Sequence, residues 1–156
     1  MRNESGLTLF ELMVVVGIMA ILASVAVPGF LGWLPNYRMR SAADDVLSTL
    51  HNAKLRAVRE NSVVRVTFDF ANDRYLAFVD NGAGANADNG TQEADEATIK
   101  NGRMPAGIDL SDDTLGPMVR FDRRGFPTAA SGNIDVSNGT ISKTINLTLG
   151  GSASIQ

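Results

Sequence analysis

Hydrophobic positions follow three regimes along this chain. The first is continuous. From Leu12 to Tyr37 no side chain carries a charge, a run of roughly 26 residues against the ~20 a helix needs to cross a bilayer. Residues Leu7 to Val27 predict a helix that is apolar on all sides, as a membrane span is. Gly17, Ala20, Ala23, Ser24 and Ala26 are small enough to let other helices approach closely. Pro28 lacks an amide proton and crowds the preceding turn, so a kink or local melting is expected between Ser24 and Pro28, with Pro35 a second interruption. Phe30, Trp33 and Tyr37 suit the headgroup level at the outer interface. One carboxylate, Glu11, stands at the mouth of the run. A charge beside hydrocarbon is costly, which makes Glu11 a candidate functional residue.

The second regime, from Asn36 to about Asn61, is amphipathic with a helical period. Met39, Ala43, Val46, Leu50, Ala53 and Ala57 recur at steps of four and three, and Ala42, Leu47 and Val58 widen the stripe. This predicts a helix packed on its own domain; the repeat is too short for a coiled coil.

In the third regime the period falls to two. Val64, Val66, Phe68 and Phe70 alternate with Arg65, Thr67 and Asp69, and after Ala71-Asn72-Asp73 the segment Arg74–Val79 returns, which predicts a hairpin. Short extended pieces come next around Ile99, Met104, Ile108 and Leu110, then at Met118–Phe121 and Ile134–Val136. Asn138-Gly139 is a strong hairpin signal. The last strand carries Ile141, Ile145, Leu147 and Leu149 on one face, broken once by Lys143; Ala153 and Ile155 finish the sheet. Between the strands, Asp80 to Ala97 is rich in glycine, asparagine and acid and has no apolar face, so a mobile exposed loop is expected. Its acids do not match the spacing of a calcium-binding loop.

Composition narrows the chemistry. The chain has 156 residues, a net charge of −3, no cysteine and one histidine, His51. That suits one anchor helix and one small domain without disulfides, and disfavours a His-rich metal site or a Ser-His-Asp triad. There is no nucleophile motif, metal-ligand spacing or phosphate cradle, so neither an enzyme nor a cofactor is expected. Arg120, Arg123 and Arg124 form the densest basic cluster and could touch phosphates, but Asp122 lies within it, so a salt-bridged surface turn is the expectation.

The start of the chain resembles the signal of type IV pilins and type II secretion pseudopilins. The resemblance rests on Gly6, Thr8-Leu9, Glu11, the apolar helix and Pro28, and departs only in Leu7, where most members carry phenylalanine. It implies that residues 1–6 are a leader, that prepilin peptidase cuts between Gly6 and Leu7, and that Leu7 is then N-methylated. It implies that Glu11 neutralises the methylated amine of a neighbouring subunit during filament assembly. It implies a pilin-like α+β fold. Residues 7–35 would form the transmembrane and filament-core helix, kinked at Pro28. Residues 36–156 would form a periplasmic domain with an amphipathic helix (36–61) and an antiparallel β-rich part (62–156). On charge alone, Arg2 and the terminal amine against Arg38 and Arg40 would leave that domain in the cytoplasm; the resemblance implies the periplasm, with an inner-membrane anchor.

The helix-then-strands order and the Phe121-to-Gly125 turn resemble the H-type minor pseudopilins and the FimT branch. The partners implied are other pilin or pseudopilin subunits, the prepilin peptidase and the inner membrane. DNA would be a partner only if the chain were a FimT-like minor pilin, with Arg120, Arg123 and Arg124 as contacts. The basic element found near the C-terminus of FimT-type pilins is absent here, where Gly151-Ser152-Ala153-Ser154 stands.

Overall fold

The computed structural model describes residues 8–82, 87–128 and 131–156, apart from the side chains of Pro28, Phe30 and Leu31. Among the described residues one helix, α1 (Leu9–Glu60), is succeeded by nine strands: β1 (Val63–Asp69), β2 (Arg74–Asp80), β3 (Thr98–Arg103), β4 (Asp109–Asp112), β5 (Met118–Phe121), β6 (Pro127–Thr128), β7 (Gly132–Ser137), β8 (Ser142–Leu147) and β9 (Ala153–Ile155). By contacts the chain divides into two compact units, residues 1–35 and 36–156.

In the first unit, Leu9–Val27 is long and apolar enough to cross a membrane, with a mean hydropathy of 2.5 and none of it buried. The helix continues unbroken through Pro28 and Pro35. The local melting expected at Ser24–Pro28 and the interruption at Pro35 are therefore absent. Each proline removes one intrahelical hydrogen bond, and 52 residues of helix retain the rest.

In the second unit, α1 lays Met39, Ala42, Ala43, Val46, Leu50, Ala53 and Ala57 into the core, all buried. This is the predicted stripe except at Val58, which stays 51 % exposed. The strands form two antiparallel sheets, β3-β2-β1-β5-β6 and β4-β7-β8-β9, in keeping with the antiparallel β-rich part expected. Cross-strand pairs Val64–Val79, Val66–Ala77 and Phe68–Tyr75 set the register of the first hairpin. A slip of one residue would turn the three apolar side chains of the slipped strand away from the helix. The second sheet supplies Leu110, Ile134, Val136, Ile145 and Leu147 to the same core. Asp73 ties the β1–β2 turn to the segment leading into β4: its carbonyl accepts from Met104 N at 2.8 Å and its carboxylate from Leu110 N at 3.0 Å.

Polar bonds fasten the helix along its flanks. Tyr75 Oη donates to Asp45, and Lys100 Nζ reaches the other Asp45 oxygen at 3.0 Å. Burial, together with the hydrogen bond to Asp45, pushes the Tyr75 phenol well above its usual range. The Tyr75 ring lies across Gly102, where any Cβ would collide with it. Gly102→Ala is accordingly expected to cost about 1–3 kcal/mol, the usual range for overpacking, in urea unfolding of the detergent-solubilised chain. An unchanged midpoint would mean the ring can move aside. On another flank, Lys54 Nζ donates to the Gly150 carbonyl at 3.1 Å, and His51 Nε2, as the donor tautomer, meets the Ala153 carbonyl at 3.1 Å.

Candidate functional site

The site predicted around the start of α1 lies partly within the structure. Gly6 and Leu7 fall outside the described residues. Thr8 is the N-cap of α1, and Glu11 is the acid of its first turn. Thr8 N and Thr8 Oγ1 both donate to Glu11 Oε2, each at 3.2 Å, and Glu11 N donates back to Thr8 Oγ1 at 3.2 Å. This is a reciprocal capping box. It satisfies backbone donors that a helix start leaves open and sets a negative charge where the helix dipole favours it. The cost of a charge near lipid singles out Glu11 in the sequence but does not reveal this local role, although the signal, Thr8-x-x-Glu11, is present. Both Thr8 bonds end on Oε2 of this exposed carboxylate, so a cation could meet Oε1 without breaking the cap.

Around Glu11 the helix offers only apolar surface. Leu9, Phe10, Leu12, Met13, Val16, Met19, Ile21 and Leu22 are each more than half exposed. Such a continuous patch on a water-soluble surface would mark an interaction or membrane site.

The basic cluster and the acidic loop come together in a way the sequence does not reveal. The described residues of the acidic loop are mostly exposed, but its carboxylates at Asp80 and Asp88 engage arginines rather than standing free. Asp80 is the last residue of β2 and has no exposed side-chain surface, while Arg65 on β1 is only 11 % exposed. Arg65 Nε donates to Asp80 Oδ2, which also accepts from Gly90 N at 3.0 Å. Arg65 Nη2 reaches Asp88 Oδ1 at 2.7 Å. Arg120 grips the same carboxylate with two nitrogens, at 2.8 and 2.5 Å, and bonds Thr128 Oγ1 at 3.0 Å. The hydrogen bonds from Arg120 hold the Asp88 carboxyl below the usual carboxylate range, although its partial burial pushes the other way. Glu96, also buried, accepts from the Gly82 and Glu93 amides.

The salt bridge expected within the 120–124 turn is therefore made to Asp88, across the sheet face. Asp122 instead accepts from the Arg124 and Phe126 amides, both at 2.9 Å, and holds the turn. Of the three arginines grouped as a possible phosphate contact, Arg120 is committed to Asp88. Arg123 and Arg124 are exposed. Among the described residues no group of acids, histidines or cysteines is placed to hold a metal ion.

An exposed apolar helix headed by a capped carboxylate, continuing into a helix packed on antiparallel sheets, defines a pilin-like subunit. The chain belongs to the GspH family: residues 42–152 match the family described as type II transport protein GspH, and residues 1–27 match the prokaryotic N-terminal methylation motif. It is 31 % identical over 128 residues to the pilin-like protein PilA1 of Thermus thermophilus, covering 80 % of each chain. Its fold is similar to two solved structures. The type IV minor pilin FimU of Pseudomonas aeruginosa gives a TM-score of 0.60 at 14 % identity, over 78 % of this chain and 90 % of that one. The minor pseudopilin EpsH of the Vibrio cholerae type 2 secretion system gives 0.60 at 13 % identity, over 76 % and 96 %. The family consists of structural pilin and pseudopilin subunits, and the methylation motif implies processing by a prepilin peptidase.

Proposed function

We propose that the chain is a minor pseudopilin of a type II protein secretion system. In this reading it is anchored in the inner membrane by residues 7–35, with residues 36–156 in the periplasm. It is cut between Gly6 and Leu7, methylated on Leu7, and built into a pseudopilus. The observation that carries the proposal is the joint match of one chain to the methylation motif over 1–27 and to the GspH family over 42–152. Physical support comes from the unburied apolar helix, which needs first lipid and then neighbouring helices around it. Glu11 is assigned the neutralisation of a neighbour's terminal amine, because two opposite charges inside an apolar bundle are tolerable only as a pair. A head-to-tail contact of this kind that does not close on itself builds a helical filament.

Co-expression with a prepilin peptidase, followed by intact-mass measurement, tests the processing step. The expected product begins at Leu7 and carries one added methyl group; a mature chain that keeps residues 1–6 rejects it.

A second reading, a FimT-like minor pilin serving a type IV pilus, takes its support from the likeness to a pilin-like protein and from the fold shared with the type IV minor pilin FimU. Its DNA-binding form would rest on Arg123 and Arg124, since Arg120 is already paired to Asp88. A salt-dependent shift of duplex DNA that is lost on replacing Arg123 and Arg124 would favour that form.

A further inference from the structure

The second unit carries an unexplained group of cations where it begins. Arg38 and Arg40 are exposed on α1 just past the apolar run. Lys143 is the residue that interrupts the apolar face of β8, two positions before buried Ile145. The structure accounts for that interruption: β8 passes the helix at Arg40, and Lys143 shares a groove of about 370 Å³ with Arg40, Ala43, Asp44 and Ile155. None of Arg38, Arg40 and Lys143 makes an ion pair among the described residues, and Asp44 is the one acid in the groove.

Beside this groove is the β7–β8 hairpin tip. Asn138 Nδ2 donates to Asn36 Oδ1 at 3.2 Å, which fixes the tip level with the first residue of the unit. Asn138 Oδ1 accepts from Thr140 N at 3.1 Å and Ile141 N at 2.8 Å, which closes the turn. It presents Ile141, 41 % exposed, two residues before Lys143.

The level of Asn36 is set by the length of the apolar run. That run ends at Leu34, and its roughly 23 residues from Leu12 give a rod of about 34 Å, enough to cross a ~30 Å hydrocarbon layer with modest tilt. Asn36, two residues on, then lies among the headgroups. We propose that this end of the second unit rests on anionic phospholipid headgroups, with Arg38, Arg40 and Lys143 meeting lipid phosphates and Ile141 entering the interface. The inference rests on the membrane-anchored reading of the chain. Cations flanking a small exposed apolar residue at headgroup depth are the chemistry of an interfacial contact. It also gives Arg38 and Arg40 a reason to stand just past the span, where they run against the charge rule for topology.

The test uses the full chain in nanodiscs, made either of phosphatidylcholine alone or of equal parts phosphatidylcholine and phosphatidylglycerol. Backbone hydrogen exchange is read at the hairpin, residues 138–143, with the distant turn at 122–126 as an internal reference. The expected result is slower exchange at the hairpin only in the anionic discs. Arg40→Gln and Lys143→Gln should each lose about five-fold of that protection, and Ile141→Ser should weaken it further. Equal hairpin exchange in both lipids, no effect of the glutamine variants, or equal protection of the 122–126 turn would overturn the proposal. Protection that tracks the number of chains per disc would overturn it in favour of contact with a neighbouring copy. A chain that fails to enter either disc would instead overturn the membrane-anchored reading itself.

Discussion

Asp80→Ala is expected to destabilise the second unit by about 3–5 kcal/mol, the usual cost of leaving one partner of a buried ion pair alone. The Asp80 side chain has no exposed surface and Arg65 is 11 % exposed, so water cannot replace the lost carboxylate. Asp88 would remain near Arg65, but it is 41 % exposed and already shared with Arg120. The same substitution deprives Gly90 N of its acceptor, so the loop after β2 would lose a backbone anchor as well as a charge. Urea unfolding of the detergent-solubilised chain measures the effect; a loss below about 1 kcal/mol would place the pair among weak surface bridges. The joint replacement Arg65→Met/Asp80→Leu should recover much of the loss, because removing both charges removes the uncompensated one.

Glu11→Gln is expected to leave folding and membrane insertion intact while cutting incorporation into filaments by roughly a hundred-fold or more, the equivalent of about 3–5 kcal/mol for an unpaired charge in an apolar bundle. Glutamine is the informative replacement. It can still bond Thr8 in the reciprocal cap, so the helix start is preserved and only the charge is lost. Glu11→Ala removes both, and the additional loss of the cap is worth about 1 kcal/mol. Fractionation of membranes and sheared filaments from cells producing each variant gives the readout. If the glutamine variant were incorporated normally, a neighbour's amine would not be what Glu11 serves.

Much of this architecture can be read from residue spacing, because burial imposes a period. The stripe from Met39 to Ala57 and the Asn138-Gly139 hairpin each obey one local rule and appear where that rule puts them; in the Val64–Phe68 alternation the apolar positions are buried as expected, but Arg65 between them is buried too. Spacing misleads where the deciding partner lies far along the chain. Nothing local to Asp80 or Asp88 announces Arg65 and Arg120, so an acidic stretch with polar composition looks like a free loop. The Asp122 carboxylate resembles a partner for its arginine neighbours, but a turn's own amides claim it first. Lys143 looks like a fault in an apolar face because the groove it enters is made by a helix a hundred residues earlier. At the N-terminus the difficulty differs: the Thr8–Glu11 spacing is legible as a cap, yet the cost of a carboxylate near lipid draws attention away from it.

The stretch Leu9–Val27, with nothing folded over it, imposes a rule on how such a protein can travel. Each large aliphatic side chain there would cost about 1.5–3 kcal/mol to hold in water, which over the whole stretch amounts to tens of kcal/mol. On the proposed reading of the chain as an anchored filament subunit, no aqueous intermediate between membrane and fibre is thermally accessible at that cost. Subunits would then have to be handed directly from bilayer to growing end, by a machine working in the plane of the membrane.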